Sequence, residues 1–215
     1  FLSWALLDGR TGAIAGSANL TAGDPTTTVR AWLAADYLRV TTTAGRPPSQ
    51  GRLARLRSML RDGDTDSAQG LYRTLGADAS LRRMAVVCGL TDSRRRTGGW
   101  SDAAMSARDG ARLGWCLADG RAAGPRWTPW LLAEMRHAGG DGDFGVRTVL
   151  PPDVRRTVAV ENGWLGDRAG GRWHVNCLAI GRDWTLSVLT HYPRRLGLGH
   201  GRRVCRAVGA DLIAR

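Results

Sequence analysis

The chain has 215 residues, enough for one or two domains, and its 43% hydrophobic content with nine tryptophans supports a packed core and excludes disorder. The formal net charge is +12, and all 31 basic residues are arginine. Without lysine there is no Schiff base, no serine–lysine dyad and no phosphate-cradling amine, and a guanidinium stays protonated and cannot serve as a base.

Residues 1–17 read as a hairpin: Ser3-Trp4-Ala5-Leu6-Leu7 is strand-like, 8–12 is a turn, and Ala13 to Ser17 returns. A polar loop follows over 18–27, and a threonine after Pro25 is expected to cap a helix from about Val29 to Leu38. Val29, Trp32, Leu33 and Tyr37 share one face of it. After a Gly/Pro break at 45–50 the period is helical to about 137, interrupted by a Gly-, Ser-, Asp- and Arg-rich loop at 90–105. Ser106 is expected to cap the helix that ends at Leu117, and Thr128 or Pro129 to start the next. Residues 138–153 read as a Gly-, Asp- and Pro-rich connection. The period then switches to two: Thr157–Trp164, Trp173–Ile180 and Trp184–Tyr192 form a meander, and a helix over 200–214 closes the chain.

This order predicts an α+β fold. A five-stranded antiparallel sheet joins the two N-terminal strands to the three C-terminal ones, with a terminal helix and an all-helical block inserted between the strand groups. The sheet part is residues 1–28 plus 138–215, the helical part 29–137, and together they make one structural unit. No apolar run approaches the roughly 20 residues that span a bilayer. The chain opens on Phe1 inside a strand pattern, which reads as a fragment of a longer precursor.

No cysteine pair has CxxC spacing and the four histidines are not at ligand spacing, so no metal and no cofactor are expected. The arginines are scattered, Arg94-Arg95-Arg96 being the densest run, with no interleaved aromatic stripe, so nucleic acid is not the expected partner. His174 and His191 read as strand-face residues and Trp127 and Trp130 as packing. Trp100, in the 90–105 loop, is a candidate ligand contact.

The element order, together with Ser3-Trp4-Ala5-Leu6-Leu7-Asp8 and Thr11-Gly12, Trp32-Leu33-Ala34-Ala35-Asp36-Tyr37-Leu38, Ser106-Ala107-Arg108-Asp109, Asn162-Gly163-Trp164 and Trp173-His174-Val175-Asn176-Cys177, resembles the serine β-lactamases and penicillin-binding transpeptidases, in an actinobacterial branch. That resemblance implies three catalytic motifs. Ser-x-x-Lys falls on Thr27-Thr28-Val29-Arg30, Ser-Asp-Asn on Gly63-Asp64-Thr65, and Lys-Thr-Gly on Glu161-Asn162-Gly163. Both lysines and the shuttle hydroxyl are replaced, and no glutamate stands in the 90–105 loop. Thr27, Arg30, Asp64 and Glu161 therefore hold the catalytic positions in altered form. The amides of Thr27 and Trp164, with Asn162 and Thr65 nearby, hold the oxyanion and ligand positions. The resemblance places Arg30 opposite Glu161, where the two are expected to form a bidentate pair, with Arg30 lowering the carboxylate's basicity.

It further implies a domain with a binding or structural role, or a retooled acyl hydrolase or acid/base enzyme using Thr27 or Glu161. The ligand would be a small molecule or peptide with a carbonyl or carboxylate, the chain a monomer, and its place the secreted or envelope fraction. In that fold Cys88 lies near Cys116 and Cys177 near Cys205, so those disulfides are expected; four buried thiols are the alternative.

Overall fold

Apolar and small residues at every second position bury Ser3, Ala5 and Leu7 on one face of β1 (Leu2–Asp8), and the Asp8 carboxylate shapes the turn by accepting from the amides of Arg10 and Thr11. β2 (Ile14–Gly16) returns beside it. The structure is a computed structural model that describes residues 1–17, 26–93, 104–166 and 171–213, with Thr26 and Thr27 described by backbone alone. Trp100 and the arginine run at 94–96 lie outside the described residues.

α1 (Arg30–Thr43) differs from the sequence expectation at both ends. A 3₁₀ turn (Thr26–Val29) feeds directly into it, so its cap position is Val29 and no threonine side chain caps it. It continues five residues past Leu38, where the Thr41 hydroxyl donates to the Tyr37 carbonyl and keeps a β-branched stretch helical. Its buried residues run nearly all round, from Ala31 and Trp32 to Ala35 and Leu38, because it is the central helix of the block. Around it stand α2 (Gln50–Asp62), α3 (Thr65–Thr74), α4 (Asp78–Cys88), α5 (Ala107–Ala118) and α6 (Thr128–Arg136). Ser106 caps α5 as expected, its hydroxyl accepting from the Asp109 amide.

The connection over 138–153 is more ordered than its composition suggests. It holds 3₁₀ turns at Gly140–Gly142 and Val146–Val149 and runs into α7 (Pro152–Arg155). Buried Arg147 organises it by donating to the carbonyls of Arg136, Ala138 and Val158 and to the Asp143 carboxylate. Thr157 finishes that turn by bonding back to Val154, which delays the next strand by two residues. The meander is then β3 (Ala159–Gly166), β4 (Arg172–Ile180) and β5 (Trp184–Pro193), followed by a 3₁₀ turn (Arg194–Leu196) and α8 (Leu198–Leu212).

The sheet is antiparallel throughout, in the order β2-β1-β5-β4-β3, so the two chain ends meet at β1–β5 as the sequence predicts. The helical block covers one face around Trp32, Leu33, Met59, Leu113 and Leu131. On the other face, Val146, Val160, Val175 and Val188 pack beneath Cys205 and Val208 of α8. Both expected disulfides are present: Cys88–Cys116 ties α4 to α5, and Cys177–Cys205 ties β4 to α8. Gly145, at φ +79°, lets the chain pass this second bridge, since a Cβ there would sit 2.9 Å from the Cys177 sulfur.

Candidate functional site

The 3₁₀ turn at Thr26–Val29 lies against β3 and β4 and delivers Arg30 to the junction between block and sheet. Its guanidinium is almost fully buried, and so is Glu161, the third residue of β3. Nε of Arg30 donates to Oε1 of Glu161 at 2.8 Å, and Nη2 lies 2.7 Å from the same oxygen. Nη1 donates to the Gly63 carbonyl at 2.9 Å and Nη2 to the Asn162 carbonyl at 3.1 Å. The expected contact forms, but its geometry differs from a fork-on-fork pair. Both nitrogens converge on one oxygen, and Oε2 of Glu161 is buried with no hydrogen-bond partner among the described residues. The guanidinium is shared with two backbone carbonyls, Gly63 at the α2–α3 junction and Asn162 on β3, and that sharing holds it out of register with the carboxylate.

Gly63 makes that approach possible. It sits at φ +78° after α2, and a Cβ there would stand 2.8 Å from Nη1 of Arg30. The sequence signal for this carbonyl is the Gly63-Asp64 step itself, a helix stop followed at once by a helix cap.

Burial pushes the Glu161 carboxyl up to about 7, outweighing the attraction of Arg30. Arg30 does lower its basicity, as the sequence predicts, but removal from water more than cancels that effect. A carboxyl titrating near neutrality is in the range useful for general acid–base work. Arg30, with Nε, Nη1 and Nη2 all engaged, is a positioned counter-charge.

Asp64 caps α3. Its carboxylate accepts from the Ser67 hydroxyl and from the amides of Asp66 and Ser67, and those bonds, the Ser67 hydroxyl foremost, hold it below the usual carboxylate range. Thr65 is exposed in the first turn of α3, its hydroxyl 3.4 Å from the Gly63 carbonyl. Asn162 points to the opposite face of β3 from Glu161, where its amide donates to the carbonyls of Gly142 and Phe144. The Trp164 ring is on that same far face, edge-on to Phe144 and beneath Arg202. The structure thus brings Arg30, Glu161 and Gly63 together and turns the side chains of Asn162 and Trp164 away. The Thr27 side chain lies outside the described residues, and its backbone belongs to the 3₁₀ turn beside β3.

Among the described residues, the space left at the pair is small. A cavity lined by Arg30, Gly63, Glu161, Asn162 and Trp164 has a volume of about 10 Å³, room for no more than one water.

No protein-family model matches the chain, and no curated relative matches it. Solved structures do. A β-lactamase from Burkholderia vietnamiensis superposes with a TM-score of 0.79 at 18% identity, covering 100% of this chain and 90% of that one. A class A β-lactamase from Mycobacterium abscessus gives 0.73 at 15%, covering 100% and 93%. An ancestral class A β-lactamase gives 0.77 at 18%, covering 100% and 94%. At such identities the likeness is one of architecture: the chain has the serine β-lactamase fold, nearly end to end.

Proposed function

We propose that this domain uses the serine β-lactamase fold for a binding or structural role instead of acyl transfer, as a member of an actinobacterial branch exported to the cell envelope. One observation carries the reading. Arg30 and Glu161 occupy the junction of block and sheet and, among the described residues, leave a cavity of only about 10 Å³ there. A ligand carbonyl or carboxylate has its remaining handholds in backbone amides, those of Thr27 and Trp164, and in the positive end of α1, which the 3₁₀ turn holding Thr27 feeds. The two disulfides support export, since such bridges persist in oxidising compartments.

The test is intact-protein mass spectrometry after incubation with a fluorescent penicillin and, separately, an activated acyl ester, with Thr27→Ala as control. The expected result is no adduct on the folded protein. A stable adduct on Thr27, absent from Thr27→Ala, would overturn the reading.

A second reading is a retooled enzyme in which Glu161 is the acid/base group and Thr27 the nucleophile. It is favoured by the near-neutral carboxyl of Glu161 and its unpartnered Oε2. It requires ester turnover that Glu161→Gln abolishes while the fold is retained.

A further inference from the structure

We propose that one end of the sheet is a docking surface for an anionic lipid bilayer. The strand register gathers that end from distant parts of the chain. β1 starts there, with Leu2 opposite Thr190 and Phe1 stacked on His191. β4 starts there, with Arg172 opposite Pro193 and Trp173 opposite Tyr192. β3 ends there, with Leu165 opposite His174, and the 3₁₀ turn Arg194–Leu196 follows the end of β5.

Two observations coincide on it. Among the described residues six large apolar side chains are exposed, and four of them are here: Phe1, Leu2 (42% exposed), Leu165 (40%) and Leu196 (44%). Half-buried Trp173 lies among them with the Arg194 guanidinium 5.1 Å over its ring. Second, Arg172, Arg194 and Arg195 are exposed, and no ion pair joins any of them to a carboxylate among the described residues. The described residues of this end, 1–4, 165–166, 171–174 and 190–201, include no aspartate or glutamate, and Asp167 and Arg168 of the β3–β4 connection, equal and opposite in charge, lie outside them. The opposite end of the same sheet carries Asp8 and Asp183 beside Arg10 and Arg182.

Charge alone would fit any polyanion, and exposed leucines alone would fit a protein partner. The combination fits a bilayer interface: arginines pair with lipid phosphates, a tryptophan sits at headgroup level, and leucines enter the acyl boundary. The surface is separate from the Arg30–Glu161 site, so it stands whichever reading of that site holds.

The experiment is co-flotation of the whole chain with vesicles of roughly equal parts phosphatidylglycerol and phosphatidylcholine, and with phosphatidylcholine alone. Binding is expected to the anionic vesicles and to weaken with salt. The triple variant R172Q/R194Q/R195Q should lower partitioning by about a hundredfold, about fivefold per arginine. Leu2→Ser with Leu196→Ser should lower it by at least about tenfold, with retention on a heparin column unchanged. All the substituted side chains are exposed, and circular dichroism checks that each variant is folded. No flotation, flotation that survives the arginine triple, or flotation indifferent to the serine pair would overturn the proposal; the last would mark a site for soluble polyanions. Sedimentation of the protein without lipid, abolished by the serine pair, would also overturn it by showing that the leucines join two copies.

Discussion

Asp36 and Glu161 are both carboxylates buried against arginine, and they are satisfied to different degrees. Asp36 in α1 is fully enclosed, and each of its oxygens is used. Oδ1 accepts from Arg39 at 2.6 Å and Arg83 at 3.1 Å, and Oδ2 accepts from Ser80 at 2.7 Å and Arg83 at 2.6 Å. The Trp32 indole then donates to the Ser80 hydroxyl, which seats the central helix on α4. Glu161 has one oxygen engaged and one without a partner among the described residues. Nε of Arg39 is buried without a partner among the described residues, but the Asp36 carboxylate itself is closed. A carboxylate with both oxygens bonded fixes structure, whereas a half-bonded one leaves a titratable group whose desolvation is not fully offset. Of the two, Glu161 is the one with chemistry left in it.

The largest expected effect is on the closed network. Asp36→Ala strands Ser80 and two arginines, and unfolding by denaturant should show a loss of about 4 kcal/mol. A loss under about 1 kcal/mol would mean the arginines simply return to water and the contrast is false. Next comes the pH dependence of Glu161. The folded carboxyl keeps its proton to about 7, while the unfolded one loses it near 4.5, so between those values the folded state holds more protons. Stability attributable to Glu161 therefore falls as pH rises from 4.5 to 7 and levels off above. Measured as wild type minus Glu161→Gln, which cancels His191 and the other titrating groups, the fall should be about 3 kcal/mol. A flat difference would mean that Arg30 compensates the carboxylate fully.

The contrast was only partly legible in the sequence. The sheet was, because period-two runs from Trp173 and Trp184 and the short hairpin at 1–17 can bury their apolar faces only by pairing; its register was not predicted. The meeting of Arg30 with Glu161 was legible through resemblance, since it depends on residues 131 apart. Two features were not. Arg147 lies in a stretch whose glycines and prolines read as irregular, and no local pattern shows that a guanidinium will gather three carbonyls there. Nor could spacing show that the Gly63 and Asn162 carbonyls would draw Arg30 off the carboxylate axis, because the Gly63-Asp64 step marks a helix end without showing which side chain its carbonyl will meet. That displacement leaves Oε2 unpartnered, and removal from water then outweighs the neighbouring cation.

Replacing both partners of the pair sharpens the comparison further. Arg30→Met with Glu161→Leu removes a buried ion pair whose hydrogen bonding is incomplete, so its unfolding free energy should lie within about 2 kcal/mol of wild type, or above it. Arg30→Met alone should be the less stable protein, because it leaves Glu161 buried without its cation. If the double variant is instead as damaging as Asp36→Ala, the Arg30–Glu161 pair is as structural as the closed network.

The smallest effect is expected where a similar pair meets water. Asp92 accepts from Nε and Nη2 of Arg108 in the fork geometry that Arg30 and Glu161 lack, and from the Ser106 hydroxyl, with Arg108 39% exposed. These bonds, the arginine foremost, lower the Asp92 carboxyl to about 2. A depressed carboxylate contributes stability above its unfolded value of 3.8 and loses it as pH falls toward 2. Solvent screening limits what Asp92→Asn can cost at neutral pH to about 1 kcal/mol, and that cost should shrink as pH falls from 3.8 through about 2 and vanish below it. A loss as large as that of Asp36→Ala would show that geometry outweighs burial in setting the strength of these pairs, and Glu161 would then owe its raised titration to the missing second hydrogen bond more than to its removal from water.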